Sequence, residues 1–169
     1  MKSEALILSI VGRSNSGKTT FMVKLIKELK LRGYRVATIK HSHHSLELDT
    51  EGKDSWWHTQ AGADAVAVVS RATMGIIRRT TNEFPLPEII NTYLQDMDII
   101  LVEGYKTEAI LKVEVFRTEV STELVCKGDK NLLAVIGDKN PEISIPFFHI
   151  DDNVSSITDF LLSNLKKPS

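Results

Sequence analysis

Short apolar runs alternate with amphipathic segments along this chain, and the two patterns predict different elements. The run at residues 5–11, ALILSIV, stops at Gly12 and is typical of a strand buried on both faces of a parallel sheet. Comparable runs predict strands at residues 35–39, 65–69, 74–77, 98–102 and 132–136, and residues 147–150 form a further short apolar stretch. Residues 111–116 alternate only weakly, which fits either a sheet strand or an edge hairpin.

Four segments are predicted to be helices, and the first and the last have apolar residues at helical spacing. The first runs from Phe21 to Leu29 with lysines on its other side, and it stops before Gly33, a residue favoured after helix C-termini. The others are residues 53–61, capped by Asp49 or Thr50, and residues 87–94 and 154–165. This alternation predicts a single domain over residues 1–169, an α/β fold of three layers with a mostly parallel central sheet and helices on both faces.

The turn between the first strand and the first helix carries the strongest chemical signal. Glycines let backbone amides converge on phosphate oxygens, and the positive end of the helix dipole adds to the attraction. Lys18 supplies a charge for the β- and γ-phosphates, and Thr19 offers a hydroxyl to Mg²⁺. We therefore expect a P-loop NTPase fold that binds a nucleoside triphosphate through Gly12, Arg13, Ser14, Asn15, Ser16, Gly17, Lys18, Thr19 and Thr20.

Magnesium at this loop needs a nearby carboxylate, and the sequence offers two candidates. Glu103 directly follows the apolar run IILV, at the strand end where ligands gather in an open parallel sheet. Asp98 lies at the opposite end of that strand, which argues against it. Asp49, in the loop after the second strand, is the other candidate metal ligand, unless it caps a helix or is solvated. Together with Lys18, Glu103 is the residue that we expect in any phosphoryl chemistry.

The loop after the second predicted strand is rich in histidine. His41 and His43 can share one side of an extended segment and so resemble a metal pair, with His44 beside them. No cysteine joins them, and carboxylates begin only at Glu47, so contact with phosphate or a partner is favoured over a metal site. The charged segment that follows is a candidate switch or substrate loop, and the candidate residues of the whole region are Lys40, His41, His43, His44, Lys53, Asp54 and Ser55.

Composition narrows the class of protein. Among 169 residues, 21 Lys and Arg oppose 22 Asp and Glu, and this near balance argues against a general nucleic-acid binder. No run approaches the roughly 18 to 20 apolar residues of a membrane span. Cys126 is the only cysteine, which fits a reducing compartment. We therefore expect a soluble, cytoplasmic protein.

Several motifs together resemble one family, the molybdopterin-guanine dinucleotide biosynthesis protein B (MobB) family. The resemblance extends from about Ile7 to about Asp138, and it rests on GRSNSGKTT, IKHSHH, DTEGKDS, AGAD, VEGYK and KVEVFR. The glycine-rich loop is shared by many proteins, whereas the ordered combination of the other motifs is much more specific.

The resemblance implies a small dimeric GTP-binding adapter with slow GTPase activity and a P-loop fold. It implies GTP and Mg²⁺ as ligands, and as partner the guanylyltransferase that joins GMP to molybdopterin; contact with molybdopterin itself stays open. It also implies that Glu103, Gly104 and Lys106 act at the site, together with the loop residues already named and Gly52.

The sequence differs from that of many P-loop GTPases at the motif that usually recognises guanine. An Asn-Lys-x-Asp motif is expected after a late strand, but here the chain reads Ile136-Gly137-Asp138-Lys139. Asp138 can still accept hydrogen bonds from the N1–H and 2-amino groups of guanine, or it is only a turn residue. The preference for GTP over ATP therefore rests largely on the resemblance.

Two other functions use the same loop. A small-molecule kinase would transfer the γ-phosphate to an acceptor held by Lys40, His43 or Lys53. A metal-insertion GTPase would use His41, His43 and His44, although that class usually has a longer histidine tract or a Cys-Pro-Cys segment. The adapter is the favoured interpretation, and its hydrolysis is expected to be slow because no obvious glutamine or arginine finger is placed to orient water.

Overall fold

Eight strands are present in the described part of the chain, of which six pair into one parallel sheet and two form a separate hairpin. The computed structural model describes residues 5–42 and 48–165. The strand order in the large sheet is β2-β5-β1-β6-β7-β8. Its strands are β1 (Leu6–Val11), β2 (Val36–Lys40), β5 (Ile99–Glu103), β6 (Lys112–Phe116), β7 (Leu132–Gly137) and β8 (Phe147–His149).

The strands predicted at residues 65–69 and 74–77 are present, but they are not part of the parallel sheet. β3 (Ala65–Val69) and β4 (Met74–Arg78) pair antiparallel with each other and form a sheet of their own. The helices are α1 (Lys18–Leu31), α2 (Asp54–Gln60), α3 (Leu86–Tyr93) and α4 (Val154–Leu165). The α/β class and the mostly parallel central sheet are confirmed.

The chain divides into two compact units. One contains the chain up to His41 and from Leu94 onward, and thus the parallel sheet with α1 and α4; the other is Ser42–Tyr93, which contains α2, α3 and the hairpin. The prediction of a single nucleotide-binding domain over residues 1–169 stays a prediction.

One face of the parallel sheet is covered by α1 and α4. Leu25 of α1 and Leu161 of α4 are buried in the same core cluster as Leu8 and Ile10 of β1. Arg32, directly after α1, ties the two helices together by donating hydrogen bonds to Glu28, Asp159 and Ser155. On the other face a second cluster forms around Val11, Phe116, Leu124, Cys126, Leu132 and Val135.

β6 lies inside the sheet, which excludes the edge-hairpin alternative. It pairs in parallel with β1 on one side and with β7 on the other. Lys112 and Glu114 alternate along β6 with the apolar Val113 and Val115, yet both charged side chains are fully buried. The backbone N–H groups of Val125 and Cys126 donate to the Glu114 carboxylate over 2.6 and 2.9 Å, so this buried charge is hydrogen-bonded.

The strand order places a crevice at the end of β1. The chain passes from β1 to β2 on one side of the sheet, and later from β5 across β1 to β6 on the other. In open parallel sheets, ligands bind outside the carboxyl ends of the strands at such a switch point. The glycine-rich loop, residues 12–19, leaves β1 at this point.

The helix predicted at residues 53–61 is present as α2, but its predicted cap is wrong. The residue at the N-cap is Lys53, which makes no capping side-chain hydrogen bond. Asp49 Oδ1 instead accepts from the backbone N–H of Thr50 over 2.8 Å and from the hydroxyl of Ser55, at the start of α2, over 3.1 Å.

Candidate functional site

Left-handed backbone conformations shape the glycine-rich loop. Gly12, Asn15 and Gly17 have φ angles of 140°, 63° and 95°, and Gly17 is the N-cap of α1. Glycine tolerates such angles at little cost, and asparagine is among the few other residues that do so. The loop therefore ends at a helix N-terminus whose first backbone N–H groups have no partner within the helix.

Gly12 is required by a close approach of β6. A Cβ atom at this position would lie 2.3 Å from the carbonyl oxygen of Val115, so any side chain would force the loop away from the sheet. The same Cβ would lie 2.9 Å from Ser16 Oγ. This hydroxyl is buried and has no hydrogen-bond partner in the described part of the chain. A buried hydroxyl of this kind gains stability when a ligand oxygen accepts its proton.

Backbone carbonyl groups of the glycine-rich loop hold the Lys18 side chain against the loop. Its Nζ donates to the backbone oxygen of Gly12 over 3.3 Å and to that of Arg13 over 2.8 Å. Burial lowers the pKa of Lys18; Glu103 opposes this shift, and the charges of Lys106 and Lys40 add to it. The ammonium of Lys18 thus lies among groups from three segments of the chain.

The ends of β2 and β5 bring further predicted residues to this cluster. Lys40 and Glu103 are register partners in the sheet. The His41 backbone N–H donates to the backbone carbonyl oxygen of Glu103 over 3.0 Å. Gly104 then turns back, with a φ angle of 97°, and its carbonyl accepts from the Ser9 hydroxyl over 2.6 Å. Asp98 lies just before β5, at the opposite end of the strand from Glu103, and accepts hydrogen bonds from Arg35.

Arg117, which directly follows β6, is a site residue that the sequence analysis did not predict. A Cβ atom at Gly17 would lie 4.0 Å from Arg117 Nε, which places this guanidinium beside the glycine-rich loop. The only available signal was its position, because Arg117 follows its strand as Gly12 follows β1. The loop is therefore flanked by cations from three directions, Lys40, Lys106 and Arg117.

Asp138 follows β7 and is oriented by Thr118. Its carboxylate accepts from the Thr118 backbone N–H over 3.1 Å and from the Thr118 hydroxyl over 2.9 Å. Burial alone would raise the pKa of Asp138, but these hydrogen bonds and the charge of Arg117 outweigh it and hold the pKa below its usual value. An adjoining cavity of about 290 Å³ is lined by Phe116, Thr118, Ser121, Thr122, Lys139, Asn140, Pro141 and Glu142.

The remaining predicted site residues belong to the unit Ser42–Tyr93 or lie outside the described residues. Asp49, Lys53, Asp54 and Ser55 are in that unit, where they form the approach to α2 and its first turn. The candidate residues His43 and His44 fall outside the described part of the chain. Within residues 5–42 and 48–165, no group of three or more His, Cys, Asp and Glu side chains could hold a metal ion.

In the described ranges, no helix has both the length and the apolar character needed to cross a bilayer.

The fold and the loop together define a class of protein. A buried strand, a glycine-rich loop and a helix N-terminus meet at the switch point of a parallel sheet, which is the context that the P-loop motif requires. This is an α/β protein of the P-loop type.

The particular family follows from comparison with known proteins. The family model for molybdopterin guanine dinucleotide synthesis protein B, MobB, matches residues 7–138, and the chain belongs to this family. It is 36% identical over 162 residues to the molybdopterin-guanine dinucleotide biosynthesis adapter protein of Haemophilus influenzae, covering 95% of this chain and 90% of that protein. The adapter protein of Escherichia coli is 34% identical over 167 residues, covering 95% and 94%.

Solved structures agree with this assignment. A crystal structure of molybdopterin-guanine biosynthesis protein B aligns with a TM-score of 0.75 and 33% identity, covering 96% of this chain and 100% of the other. The crystal structure of Bacillus subtilis MobB gives a TM-score of 0.75 and 31% identity, covering 96% and 99%.

Proposed function

We propose that this chain is a GTP-binding adapter of molybdenum cofactor biosynthesis. The charge cluster at the glycine-rich loop carries the proposal, because Glu103, Lys106 and Lys40 all lie near enough to Lys18, in the first turn of α1, to influence its pKa. Several ammonium groups and one carboxylate suit a polyphosphate that brings a divalent cation with it. Cytoplasmic location is part of the proposal, since the synthesis of a nucleotide cofactor needs the cytoplasmic GTP pool.

The loop backbone and a few of its side chains have distinct roles in this proposal. The backbone from Gly12 to Thr20 encloses the phosphates, and Lys18 balances their charge. The buried Ser16 hydroxyl supplies one more donor, which supports the fit of an anion to this loop. Thr19 and Glu103 would hold Mg²⁺, which neutralises charge on the phosphate oxygens when it is bound. A role of Asp49 as a further metal ligand stays a prediction.

The nucleoside would extend toward the end of β7. The cavity of about 290 Å³ adjoins Asp138, whose carboxylate is already oriented by Thr118. A carboxylate accepts from the N1–H and 2-amino groups of guanine, whereas adenine presents an acceptor at N1. Asp138 therefore supports GTP over ATP. The residues gathered at the loop serve to bind phosphate rather than to position water, and for this reason we propose at most slow hydrolysis.

The proposed partner is the guanylyltransferase that joins GMP to molybdopterin. The relatives from Haemophilus influenzae and Escherichia coli are named adapter proteins of molybdopterin-guanine dinucleotide biosynthesis. In this proposal, His41 in one unit and Lys53 and Asp54 in the other are candidate contacts to the partner. Molybdopterin is a further candidate ligand of the complex.

Competition titration tests the nucleotide and the metal together. A fluorescent GTP analogue is displaced by GTP or ATP, with Mg²⁺ or with a chelator, from the unaltered chain and from Glu103→Gln. We expect GTP to displace the analogue at a concentration at least about tenfold lower than ATP, because ATP leaves Asp138 without its donors. Glu103→Gln should weaken binding about tenfold with Mg²⁺ and much less in the chelator.

Glu108→Gln is the matched control, since Glu108 is exposed in the segment after β5. It should behave as the unaltered chain does. Equal displacement by GTP and ATP would contradict guanine recognition, and equal effects of Glu103→Gln with and without Mg²⁺ would remove Glu103 from the metal site. The adapter role is measured as faster dinucleotide formation when the chain is added to the guanylyltransferase.

The hairpin supports the proposal that the chain acts as a homodimer. Because strand side chains alternate, one face of β3 and β4 carries Ala65, Ala67, Val69, Met74, Ile76 and Arg78. Val69, Met74 and Ile76 are 71%, 64% and 42% exposed, so this face, the hairpin face, is open and is apolar apart from Arg78 at one end. An apolar sheet face of this kind is stabilised when a second copy covers it.

Sedimentation equilibrium tests the dimer. We expect twice the chain mass of 18.9 kDa for the unaltered protein. Ile76→Lys places a charge on the hairpin face and should shift the equilibrium toward monomer by at least about tenfold. Val23→Lys is the control, because Val23 is an exposed apolar residue of α1, 45% accessible. Equal effects of both variants would count against the hairpin face as the interface.

A further inference from the structure

The end of β6 lies between the two parts of the proposed nucleotide site. β6 pairs with β1 on one side and with β7 on the other. The glycine-rich loop follows β1, and Asp138 follows β7. Arg117 is the first residue after β6, so it leaves the sheet between the loop proposed to bind phosphate and the carboxylate proposed to bind guanine. The strand order therefore gives Arg117 a central position in this row of strand ends.

Hydrogen bonds fix the backbone around Arg117. Its carbonyl oxygen accepts from the backbone N–H groups of Val120 and Ser121, each over 3.0 Å. The next residue, Thr118, donates its backbone N–H and its hydroxyl to the Asp138 carboxylate. The turn that carries Arg117 is therefore held both by its own backbone and by the end of β7.

The Arg117 side chain extends toward the N-terminus of α1. A Cβ atom at Gly17, the N-cap of this helix, would lie 4.0 Å from Arg117 Nε and 3.8 Å from Ile150 Cδ1. Burial alone would raise the pKa of Asp138, and the charge of Arg117 is one of the interactions that lower it. The guanidinium is thus beside the helix N-terminus and also close enough to Asp138 to influence its ionisation.

No described residue binds the Arg117 guanidinium. Within residues 5–42 and 48–165 it forms no hydrogen bond and no ion pair, whereas the guanidinium groups of Arg32 and Arg35 both pair with carboxylates. Arg117 is only half-buried, and its nitrogen atoms remain accessible to solvent, so a ligand can reach them. The fold itself therefore does not account for the placement of this charge.

The position of the charge indicates an anionic ligand. The N-terminus of a helix is the positive end of its dipole, so a cation beside it is unfavourable. An anion that contacts both the helix N-terminus and the guanidinium reverses the sign of that interaction. Lys18 pairs with loop carbonyls and is influenced by Glu103, whereas Arg117 approaches the same loop from the side of Asp138. The two cations therefore contact different parts of a bound nucleotide.

We propose that Arg117 binds the α-phosphate of the nucleotide. The α-phosphate joins the triphosphate to the nucleoside, so it is the group that falls between the glycine-rich loop and the end of β7. A guanidinium can donate two parallel hydrogen bonds to phosphate oxygens, and it adds a full charge that backbone amides do not supply. The inference rests on the proposed function, because it assigns one more residue to the same site.

Four ligands test which group Arg117 contacts. GTP, GDP, GMP and inorganic tripolyphosphate, each with Mg²⁺, displace a fluorescent GTP analogue from the unaltered chain and from Arg117→Met. The affinity of the analogue itself is first measured for each protein. Methionine keeps much of the length of the side chain without the charge. We expect the binding of all four ligands to weaken by a similar factor of at least about tenfold, because each of them places a phosphate at this position.

Two other variants give contrasting patterns. In Lys18→Ala the loss should increase from GMP to GTP, because GMP lacks the β- and γ-phosphates that Lys18 contacts. Arg35→Met is the matched control, since Arg35 precedes β2 and its guanidinium lies at the opposite end of the parallel sheet. It should leave the affinities for all four ligands unchanged.

Each pattern decides the inference. A similar loss for all four ligands in Arg117→Met supports the contact with the α-phosphate. A loss for the three nucleotides but not for tripolyphosphate overturns it, because Arg117 then contacts the nucleoside. A loss for GTP and GDP but not for GMP also overturns it, since the contact is then to the β-phosphate. Unchanged affinities show that the guanidinium touches no ligand, and they overturn it as well.

Arg117→Lys keeps the test decisive if Arg117→Met does not fold. Lysine retains the charge but cannot donate two parallel hydrogen bonds, so we expect a smaller loss that is again similar for all four ligands. A loss in Arg117→Lys that is confined to some of the ligands overturns the inference in the same way as above.

Failure of this inference differs from failure of the proposed function. If GTP binds equally well to the unaltered chain and to Arg117→Met, the inference fails and the proposed function stands. If ATP displaces the analogue as well as GTP does, guanine recognition fails, while a uniform loss in Arg117→Met still assigns Arg117 to the α-phosphate. No binding of any of the four ligands to the unaltered chain overturns both.

Discussion

Replacing Lys18 with alanine is expected to lower GTP affinity by at least roughly a hundredfold, about 2.8 kcal/mol, while the fold persists. The loss is large because the ammonium is already placed at the loop by the Gly12 and Arg13 carbonyls, so little ordering opposes its contact with phosphate. The remaining cations cannot replace it, since Lys40 and Lys106 come from other segments of the chain.

Two measurements establish that this loss is specific. Lys24→Ala removes an exposed lysine of the same helix, and it should retain full affinity in calorimetric titration. The free energy of unfolding of Lys18→Ala, measured by thermal unfolding, should differ from that of the unaltered chain by less than about 1 kcal/mol. Water can replace the two hydrogen bonds that the lysine makes. Retained GTP affinity in Lys18→Ala would refute the assignment of the glycine-rich loop.

The pH dependence of binding gives an independent check on Lys18. Because burial lowers its pKa, the ammonium loses its proton at a lower pH than a free lysine does. Affinity of the unaltered chain should therefore fall as the pH rises toward the usual lysine pKa of about 10.4. In Lys18→Ala that part of the pH dependence should be absent.

Sequence patterns predicted the elements around the glycine-rich loop well, for a physical reason. β1 and α1 are adjacent in the chain, and the glycine-rich loop between them needs particular residue types at fixed spacing. The helix predicted at residues 154–165 is α4, Val154–Leu165, because its apolar stripe repeats over three turns. Local information is sufficient for features of this kind.

Features that depend on distant partners were predicted less well. The two apolar runs of the hairpin resemble buried parallel strands, and only their pairing with each other distinguishes them. Arg117 contributes to the site through its approach to Gly17, which is 100 residues away in the chain and invisible to spacing rules. Lys112 and Glu114 weakened the pattern of β6, since charged residues are rarely buried unless they are paired.

Lys112→Ala is the variant expected to have the largest effect on stability, about 3 to 5 kcal/mol less free energy of unfolding. The Lys112 side chain is 0% exposed, and its Nζ forms an ion pair with Asp129 over 2.9 Å. The same Nζ donates to the carbonyls of Glu108 and Ile110 over 2.6 and 3.2 Å. Alanine removes the ammonium group that binds all three partners, and it also leaves a cavity in place of the side chain. Both changes destabilise the folded state.

Urea unfolding of Lys112→Ala and Lys127→Ala gives a matched comparison. Lys127 also pairs with a carboxylate, that of Glu123 at 3.9 Å, but these side chains are 70% and 72% exposed. Exposed pairs contribute roughly 0 to 1 kcal/mol, so Lys127→Ala should scarcely change the free energy of unfolding. Similar values for the two variants would show that burial of Lys112 contributes nothing to its ion pair.

Acid unfolding distinguishes the lost charge from the lost volume. The hydrogen bond from Lys112 is the main reason why the pKa of Asp129 lies below its usual value. A lowered carboxylate pKa stabilises the folded state above the unfolded-state value of about 3.9, and this contribution disappears as the pH falls through the folded-state pKa. Lys112→Met keeps most of the side-chain volume without the charge. Its stability should therefore depend less on pH in this acidic range than that of the unaltered chain, and an unchanged acid profile would assign the effect of Lys112→Ala to packing alone.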